Sequence, residues 1–238
     1  MLCYFHRISS TQDELLKLLE SHHTLPDGNG LAAAVQTRGH GRGNKIWHAR
    51  DGQNALFSFV HRPAVATNDA YLLNQAAAAA VALSLQAENI PATIKWPNDV
   101  LVGGRKIAGM LVNTRIEQNA VRLAVVGVGL NVNQTDFPAG LNATSIKALT
   151  GHQTDPLDWP HRIIRHFFAL WAQGPVAIRQ TYFDFWSFKG PKKRIITRNG
   201  HQYSGWVSAD IRNGKIHIFM GLNTKAAIVP LEEIKHID

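Results

Sequence analysis

A chain of 238 residues, 45% of them hydrophobic and 18% charged, suits one globular domain with a small appendage. No apolar run approaches the roughly 20 residues that cross a bilayer. The first residues lack the basic and apolar regions of a signal peptide, so we expect a cytoplasmic protein with no membrane partner. The single cysteine excludes an internal disulfide and a thiolate zinc site. The net charge of +8 favours nucleotide phosphates, acidic proteins or nucleic acid as partners, unless it marks only a solvated basic surface.

The first half of the chain predicts helices and strands around one irregular loop. Thr11 with Glu14 three residues later is typical of a capped helix start, and leucines continue an amphipathic helix to about Ser21. Apolar periodicity and composition then predict a strand, an irregular loop, a strand and a helix, over residues 31–36, 37–47, 54–60 and 70–87.

The second half continues with strands and then two helices. Strands are predicted over residues 92–96, 100–102, 106–114 and 122–131. The last of these is rich in Val, as is typical of a central strand, and Gly103-Gly104 predicts a hairpin turn. Helices are predicted over residues 157–172 and 176–186, and the aromatic stripe of the first is expected in the core.

The C-terminal part has a different composition. The polar stretch from Lys189 to Lys193 predicts a boundary between two domains, residues 1–188 and 189–238. Short strands separated by turn residues follow it, over residues 194–197, 202–209, 215–220 and 226–230. Regular spacing of this kind is typical of a small β-barrel.

The loop after residue 36 has the composition of an anion-binding site. Its glycines, starting with Gly39, alternate with His40 and Arg42, and Arg38 and Lys45 flank them. Glycine permits close backbone approach, so amides and cationic side chains could surround phosphate oxygens. A surface loop without a ligand could contain the same glycines. The pattern is neither a Walker A loop nor a dinucleotide-binding loop.

Three further segments place glycine, proline and polar residues inside or beside strands: Lys95-Trp96-Pro97-Asn98-Asp99, Lys106-Ile107-Ala108-Gly109 and Gly127-Val128-Gly129-Leu130-Asn131. Proline ends a ladder of hydrogen bonds, and glycine within a strand indicates a bulge or a group packed against the backbone. The 12 histidines show no metal-ligand spacing, so we predict no metal site made by the protein alone.

Together these segments resemble the biotin protein ligase family. The family's hallmarks are a Gly/Arg-rich loop ending in Trp, a Lys-Trp-Pro-Asn-Asp motif, a Lys-Leu/Ile-Ala-Gly strand and a Gly-x-Gly-x-Asn strand. They stand here in the family's order, and the resemblance covers essentially the whole chain. It implies an α+β fold of the class II synthetase-like kind, with a mixed sheet and packed helices, followed by an SH3-like β-barrel.

The resemblance also implies roles for individual residues. Those implied to bind biotin are Ser10, Thr11, Gln36, Gly39, Lys106 and Gly109. Those implied to bind ATP or the adenylate are His40, Arg42, Trp47, Lys106 and Asn131. Catalysis is implied for Lys106 and Arg42, and support of the site for Lys95, Trp96, Asn98 and Asp99.

The implied reaction has two steps. The biotin carboxylate joins the α-phosphate of ATP, with Lys106 drawing the two anions together and Mg²⁺ neutralising the departing pyrophosphate. A lysine of a biotin carboxyl carrier domain, typically an acidic partner, then attacks the adenylate, which the closed glycine loop protects from water. A monomer and a homodimer are both compatible with the sequence, and no specific nucleic acid is expected.

Two residues depart from the family's pattern. His40 stands where the family commonly has an arginine that contacts phosphate, so Arg38, Arg42 or Lys45 would take over that contact. Gln12 replaces the usual Asn after Ser-Thr. Because nothing precedes the catalytic core, whereas repressor members carry an N-terminal helix-turn-helix, we expect no operon repressor.

Three other functions stay open. A lipoate or octanoate ligase would share the fold but would not be expected to contain Lys-Trp-Pro-Asn-Asp. A basic nucleic-acid-binding module could use the cluster Lys192-Lys193-Arg194 with Tyr203 and Trp206 for stacking. A non-catalytic biotin-binding relative is compatible with the change at His40.

Overall fold

The structure is a computed structural model that describes residues 1–21, 25–187, 193–197, 199–210, 215–219, 227–230 and 234–237. One mixed sheet contains β1 Leu2–Ile8, β2 Gly30–Gln36, β3 Asn54–His61, β4 Val65–Ala66, β5 Ala92–Lys95, β6 Asp99–Val102, β7 Arg105–Glu117 and β8 Ala120–Asn131. The helices are α1 Thr11–Ser21, α2 Tyr71–Gln86, α3 Ile146–Thr150, α4 Asp158–Ala172 and α5 Pro175–Asp184.

The strand order of this sheet is β1-β2-β3-β8-β7-β6-β5, and β4 pairs with β8. β1 and β2 are parallel, whereas the other pairs are antiparallel. β8 therefore lies at the centre, as its Val-rich sequence predicted. The turn between β6 and β7 has positive φ at Gly103 (56°) and Gly104 (74°), which confirms the predicted glycine hairpin.

The two faces of the sheet bury different helices. Val126 and Phe59 belong to the large core beneath α2, α4 and α5, whereas Val125 and Val60 pack with the leucines of α1. Successive strand residues point to opposite faces, so α1 alone of these helices covers the second face. Gly127 and Gly129 share the α1 face with Val125.

The aromatic stripe of α4 lies in the core as predicted. Ile163 and Phe167 are fully buried, and Phe168 and Trp171 pack partly buried beside them. α2 is buried on nearly all sides, and its run of alanines lets the sheet and the other helices approach closely.

The sequence prediction missed several elements. β1 escaped because five of its seven residues are exposed, so the edge strand shows no alternation. α3 was missed because it has only five residues. The cap of α1 was predicted one residue too late: Ser10 Oγ accepts from Asp13 N at 3.3 Å, while Glu14 accepts a hydrogen bond from Ser9 Oγ at 2.5 Å.

The C-terminal residues form a second, antiparallel sheet in the order β12-β11-β10-β9-β13. Its strands are β9 Lys193–Thr197, β10 Gln202–Asp210, β11 Lys215–Phe219, β12 Ala227–Pro230 and β13 Ile234–Ile237, the last of which was not predicted. Closure into an SH3-like barrel stays a prediction. The proposed domain boundary after residue 188 and the turns at 213–214 and 221–223 lie outside the described residues.

Within the described ranges, no helix is both long enough and apolar enough to span a bilayer.

Candidate active site

A cavity of about 530 Å³ opens on the α1 face of the main sheet. The start of α1 and the end of β2 form one end of it, the glycine loop covers it, and β7 and β8 form its floor. Twelve of the residues predicted for the site line this cavity: Ser10, Thr11, Gln36, His40, Arg42, Trp47, Lys95, Trp96, Asn98, Asp99, Lys106 and Gly109.

The glycine loop is a short hairpin rather than an unstructured connection. Gly41 N donates to Lys45 O at 2.7 Å, and Trp47 N donates to Gly39 O at 3.0 Å. Between them Arg42–Asn44 form one 3₁₀ turn in which Gly43 has a φ of +65°. The tip of the hairpin thus presents the exposed cations Arg42 and Lys45 over the cavity.

Trp47 packs against a part of the sheet that has no side chains. A Cβ added to Gly129 would lie 2.5 Å from the indole, and one added to Gly109 would lie 3.0 Å from it. These two glycines are direct partners in the register of β7 and β8. The glycines of both strands therefore make room for a tryptophan of the same chain, which becomes a wall of the cavity.

Lys106 adjoins this wall. Its Nζ lies 5.3 Å from the centre of the Trp47 ring and 2.6 Å from Asp99 Oδ1. Asp99 is held in register opposite Gly109 in the β6–β7 pair. The ammonium group is therefore fixed at the cavity by a carboxylate and an aromatic face.

The Lys-Trp-Pro-Asn-Asp segment joins β5 to β6 and is held from two sides. Asn98 Nδ2 donates to Met110 O at 2.7 Å, and Tyr71 Oη donates to Pro97 O at 3.1 Å. The Tyr71 ring packs on Trp96 with centroids 4.4 Å apart. Burial raises the pKa of Tyr71 well above its usual value, so its hydroxyl stays protonated and remains a donor.

The end of the cavity at α1 is polar. Thr11 N donates to Gln36 Oε1 at 2.6 Å, which fixes the orientation of the amide because a backbone N–H can only donate. The Nε2 group of Gln36 is left without an acceptor among the residues that the structure describes. Ser10 and Thr11 line the same end.

Two residues that were not predicted for the site support this polar end. Ser58 Oγ lies 2.9 Å from Thr11 Oγ1 and donates to Gln12 Oε1 at 2.9 Å. Gln12 Nε2 in turn donates to Val125 O at 3.0 Å and to Asn113 Oδ1 at 2.8 Å. The sequence signal for Ser58 was a lone polar residue within the apolar strand Ala-Leu-Phe-Ser-Phe-Val.

His40 is tied to α1 rather than left free at the cavity. Its Nε2 lies 2.9 Å from Asp13 Oδ1. Its backbone pairs with Ile46 across the hairpin. The stem of the glycine loop and the first turn of α1 are therefore linked through one ion pair or hydrogen bond, and Asp13 was another residue that the sequence did not single out.

Two predicted site residues do not line the cavity. Gly39 packs against the side chain of Gln36, because a Cβ added to Gly39 would lie 3.0 Å from Gln36 Nε2. Asn131 is buried at the end of β8, where its Nδ2 donates to Thr144 O at 3.0 Å. Thr144 N donates to Lys106 O at 2.9 Å, so Asn131 adjoins the strand that presents Lys106.

Comparison with known proteins defines the class. The model of the biotin/lipoate A/B protein ligase family matches residues 4–131, more than half of the chain. This range includes α1, the glycine loop, the Lys-Trp-Pro-Asn-Asp segment and all the strands under the cavity. The chain belongs to the biotin/lipoate A/B protein ligase family.

Individual relatives agree with this assignment. The bifunctional ligase/repressor BirA of Bacillus subtilis is 36% identical over 159 residues, which are 65% of this chain and 48% of the relative. A biotin–[acetyl-CoA-carboxylase] ligase of Mycobacterium tuberculosis is 30% identical over 237 residues, 96% of this chain and 86% of the relative. The chain thus spans about half the length of the Bacillus protein.

A solved structure supports the fold. The biotin protein ligase from Aquifex aeolicus in complex with biotin and ATP superposes with a TM-score of 0.76 at 20% identity, covering 100% of this chain and 98% of that one. The predicted mixed sheet with packed helices is therefore confirmed.

Proposed function

We propose that the protein is an ATP-dependent biotin protein ligase. In the first step a biotin carboxylate oxygen bonds to the α-phosphorus of ATP and pyrophosphate leaves, giving biotinyl-5′-AMP. In the second step the amine of an acceptor lysine attacks the acyl carbon and AMP leaves. The observation that carries the proposal is a single cavity with a donor and an acceptor of hydrogen bonds at one end and Lys106 at the other.

The polar end suits the cyclic urea of biotin. Gln36 Nε2 is a donor with no acceptor among the described residues, and Thr11, whose backbone N–H holds the Gln36 amide, lines the same cavity at the start of α1. A cyclic urea presents a carbonyl acceptor next to N–H donors, which complements this pair. The dithiolane ring of lipoate has neither group, so the same pair argues against a lipoate ligase.

The cationic end suits the reacting anions. Lys106 is fixed by Asp99 and Trp47, and the exposed side chains of Arg42, Lys45 and Lys95 surround the same cavity. A carboxylate and an α-phosphate repel each other, so a preorganised cation between them lowers the barrier to their bond. We assign Lys106 to that position and Arg42 to the phosphates.

The glycine loop then acts as the cover of the adenylate. It reaches across the cavity between Trp47 and the Asp13–His40 contact. A mixed anhydride hydrolyses in water, so a cover that opens only to the acceptor preserves it. Mg²⁺ would be held mainly by the nucleotide phosphates, since Mg²⁺ commonly needs only one or two protein carboxylates, and Asp99 lines the cavity. Bound Mg²⁺ would neutralise charge on the departing pyrophosphate.

The relatives support the choice of acceptor. The Mycobacterium tuberculosis relative is named for acetyl-CoA carboxylase, and the solved Aquifex protein contains biotin and ATP. We therefore propose a biotin carboxyl carrier domain as the partner.

We also propose a cytoplasmic location and division of the chain into domains 1–188 and 189–238. The alternative of nucleic-acid binding rested on the basic cluster at residues 192–194. This cluster falls partly outside the described residues, and its side chains lie wholly outside them.

Mass spectrometry tests the function directly. The purified protein is incubated with biotin, MgATP and a biotin carrier domain, and the intact mass of the carrier is measured with and without ATP. We expect an ATP-dependent gain of one biotin. A parallel incubation with lipoate should give no gain, and lipoylation without biotinylation would overturn the proposal.

Lys106→Ala separates an enzyme from a binding protein. We expect adenylation, measured as biotin-dependent pyrophosphate exchange, to fall about 100-fold or more, because the variant loses the cation between the two anions. Biotin binding measured by calorimetry should weaken much less, since the donor and acceptor at the polar end remain. Full exchange activity in this variant would remove Lys106 from the mechanism.

A further inference from the structure

Ser58 is a polar residue in a strand whose eight residues are all buried. Its side chain has no exposed surface, and it lies in register opposite Gly127 of β8. The reaction proposed above gives Ser58 no direct contact with a reacting atom. A buried hydroxyl is costly unless its hydrogen bonds are satisfied, so its partners define what it does.

The orientation of Gln12 fixes the direction of those hydrogen bonds. Val125 O can only accept, so the group of Gln12 that lies 3.0 Å from it must be the amide nitrogen. The carbonyl oxygen of Gln12 therefore faces Ser58 Oγ at 2.9 Å. Two oxygens at that distance repel unless a hydrogen lies between them, and only Ser58 can supply it.

This leaves Thr11 with one hydrogen-bonding role toward a ligand. The single hydrogen of Ser58 is used on Gln12, so at the 2.9 Å contact between the two hydroxyls Thr11 Oγ1 must donate to Ser58 Oγ. The remaining lone pairs of Thr11 Oγ1 can only accept. Because Thr11 lines the cavity, it offers an acceptor and no donor to whatever binds there.

The chain of hydrogen bonds from Thr11 through Ser58 to Gln12, here called the relay, is tightly packed. A Cβ on Gly127 would lie 2.4 Å from Gln12 Oε1 and 3.2 Å from Ser58 Oγ, so the chain places a glycine beneath the relay. Gln12 and Thr11 are both buried, and Gln12 is held by two further hydrogen bonds. Rotation of either hydroxyl would leave a buried oxygen facing another oxygen with no hydrogen between them.

We infer that Ser58 and Gln12 are specificity-determining residues, which hold the Thr11 hydroxyl as an acceptor and so select a ring N–H of the ligand. The inference rests on the proposed function, because it identifies that N–H as one from the cyclic urea of biotin. A cyclic carbamate, which has a ring oxygen in place of one N–H, would set lone pairs against lone pairs at Thr11 and be rejected.

The test compares dissociation constants for biotin and for its two carbamate analogues, each lacking one N–H, by isothermal titration calorimetry. We expect the unaltered protein to bind biotin about 100-fold more tightly than one of the two analogues, since a site built for a donor rejects a ligand without it. In Ser58→Ala the Thr11 hydroxyl is free to turn and donate, so the ratio should fall to about tenfold or less.

Two further variants guard against loss of folding as the explanation. Ser84→Ala removes another buried hydroxyl, one that donates to Ala80 O at 2.7 Å, and should leave the ratio unchanged. Gly127→Ala displaces Gln12 Oε1 without removing any polar atom and should lower the ratio as Ser58→Ala does. An unchanged ratio in both site variants would overturn the inference.

The same samples separate this inference from the proposed function. A protein that binds biotin but supports no pyrophosphate exchange would overturn the proposed activity, and the ratios would still decide the role of Ser58. Absence of any biotin binding would overturn both.

Discussion

Three glycines on the α1 face determine where large side chains can lie in the site. Gly109 and Gly129 leave space for the Trp47 indole, and Gly127 leaves space for the end of Gln12. A strand glycine weakens the strand and leaves a bare patch of backbone. Here side chains that shape the cavity pack on these bare patches. Substitution of the glycines should therefore displace Trp47 or Gln12 and change the shape of the cavity.

Gly129→Ala tests this at the tightest contact with a rigid group. The new methyl would lie 2.5 Å from the indole, and a fused ring cannot yield as a flexible side chain can. We expect the free energy of unfolding to fall by about 1–3 kcal/mol, as for other overpacked sites. The kcat/KM for ATP in pyrophosphate exchange should fall as well, because Trp47 leaves its seat. Urea denaturation and exchange kinetics measure the two effects.

Gly41→Ala is the matched control in the glycine loop. Its φ of −117° suits any residue, and the nearest atom to its Cβ is Lys45 O at 3.8 Å, an ordinary contact. We expect stability close to that of the unaltered protein. Equal losses in both variants would show that the packing of Trp47 on Gly129 is not the cause.

Residue-level prediction from the sequence reached the motifs but not the connections between them. The glycines of β7 and β8 correctly indicated a group packed against the backbone, yet the sequence could not name Trp47, which is more than 60 residues away. Asp13 and Ser58 belong to no motif, and their roles depend on contacts with residues far along the chain. Roles carried over from the resemblance stay predictions until variants are measured.

At the scale of elements, His61 joins the end of β3 to α4. Its ring lies edge-on against Phe167, Phe168 and Trp171, and its Nδ1 lies 2.7 Å from Asp27 Oδ2. Burial lowers the pKa of His61 below its usual value of 6.5, an effect that Asp27 opposes only in part. The ring is therefore neutral in the folded protein at pH 7.

Because the pKa of His61 is lowered in the folded protein, its contribution makes the free energy of unfolding rise with pH. The unfolded chain binds a proton at a higher pH than the folded protein, so stability rises with pH through this window. The contribution is fully present above about pH 6.5 and is lost as the pH falls through the lowered folded-state pKa. We expect the free energy of unfolding to drop between pH 7.5 and 5.5, measured by urea denaturation.

His61→Phe isolates this contribution. The variant keeps an aromatic ring between β3 and α4 and removes the titrating group. Its stability should decline less than that of the unaltered protein over the same pH range. Parallel curves for the two proteins would assign the pH dependence to other groups, among them His166, whose pKa is also lowered by burial.

The Asp13–His40 contact couples two other elements, α1 and the glycine loop. Asp13→Asn weakens the charge-assisted bond that holds the loop stem, so the loop should open more often. We expect release of free biotinyl-5′-AMP to rise about fivefold relative to carrier biotinylation, since an open loop no longer retains the adenylate. Adenylate in solution is measured by chromatography after a single turnover.

Glu88→Gln is a suitable control for Asp13→Asn. It breaks an exposed ion pair between Glu88, just beyond the end of α2, and Arg162 of α4, on the opposite face of the sheet from the loop. Adenylate retention should not change in this variant. If Asp13→Asn also retains the adenylate fully, the contact with His40 does not govern the loop.

Elements were predictable where their local pattern was strong. The run of alanines in α2 and the Val-rich β8 gave correct types and nearly correct bounds. β1 was missed because its pairing with β2 joins residues about 28 positions apart and leaves both faces exposed, so local periodicity carries no signal. The order of the strands likewise follows from contacts that no short window of sequence contains.

At the scale of the whole molecule, the net charge of +8 would attract an acidic partner. The exposed cations Arg42, Lys45 and Lys95 line the cavity that the acceptor lysine must enter to reach the adenylate. Complementary charge raises the rate of encounter between proteins, and salt screens it over a Debye length of about 10 Å at 0.1 M.

Salt should therefore act on transfer more than on adenylation. We expect kcat/KM for an acidic carrier domain to fall about tenfold between 50 and 300 mM KCl, because the long-range attraction is screened. Biotin-dependent pyrophosphate exchange, which needs no carrier, should change by less than about twofold, since its charges meet at short range. A carrier whose surface carboxylates are changed to amides should show a weak salt dependence. If transfer to the acidic carrier is insensitive to salt, the basic surface does not steer the partner and the charge is only a solvated surface.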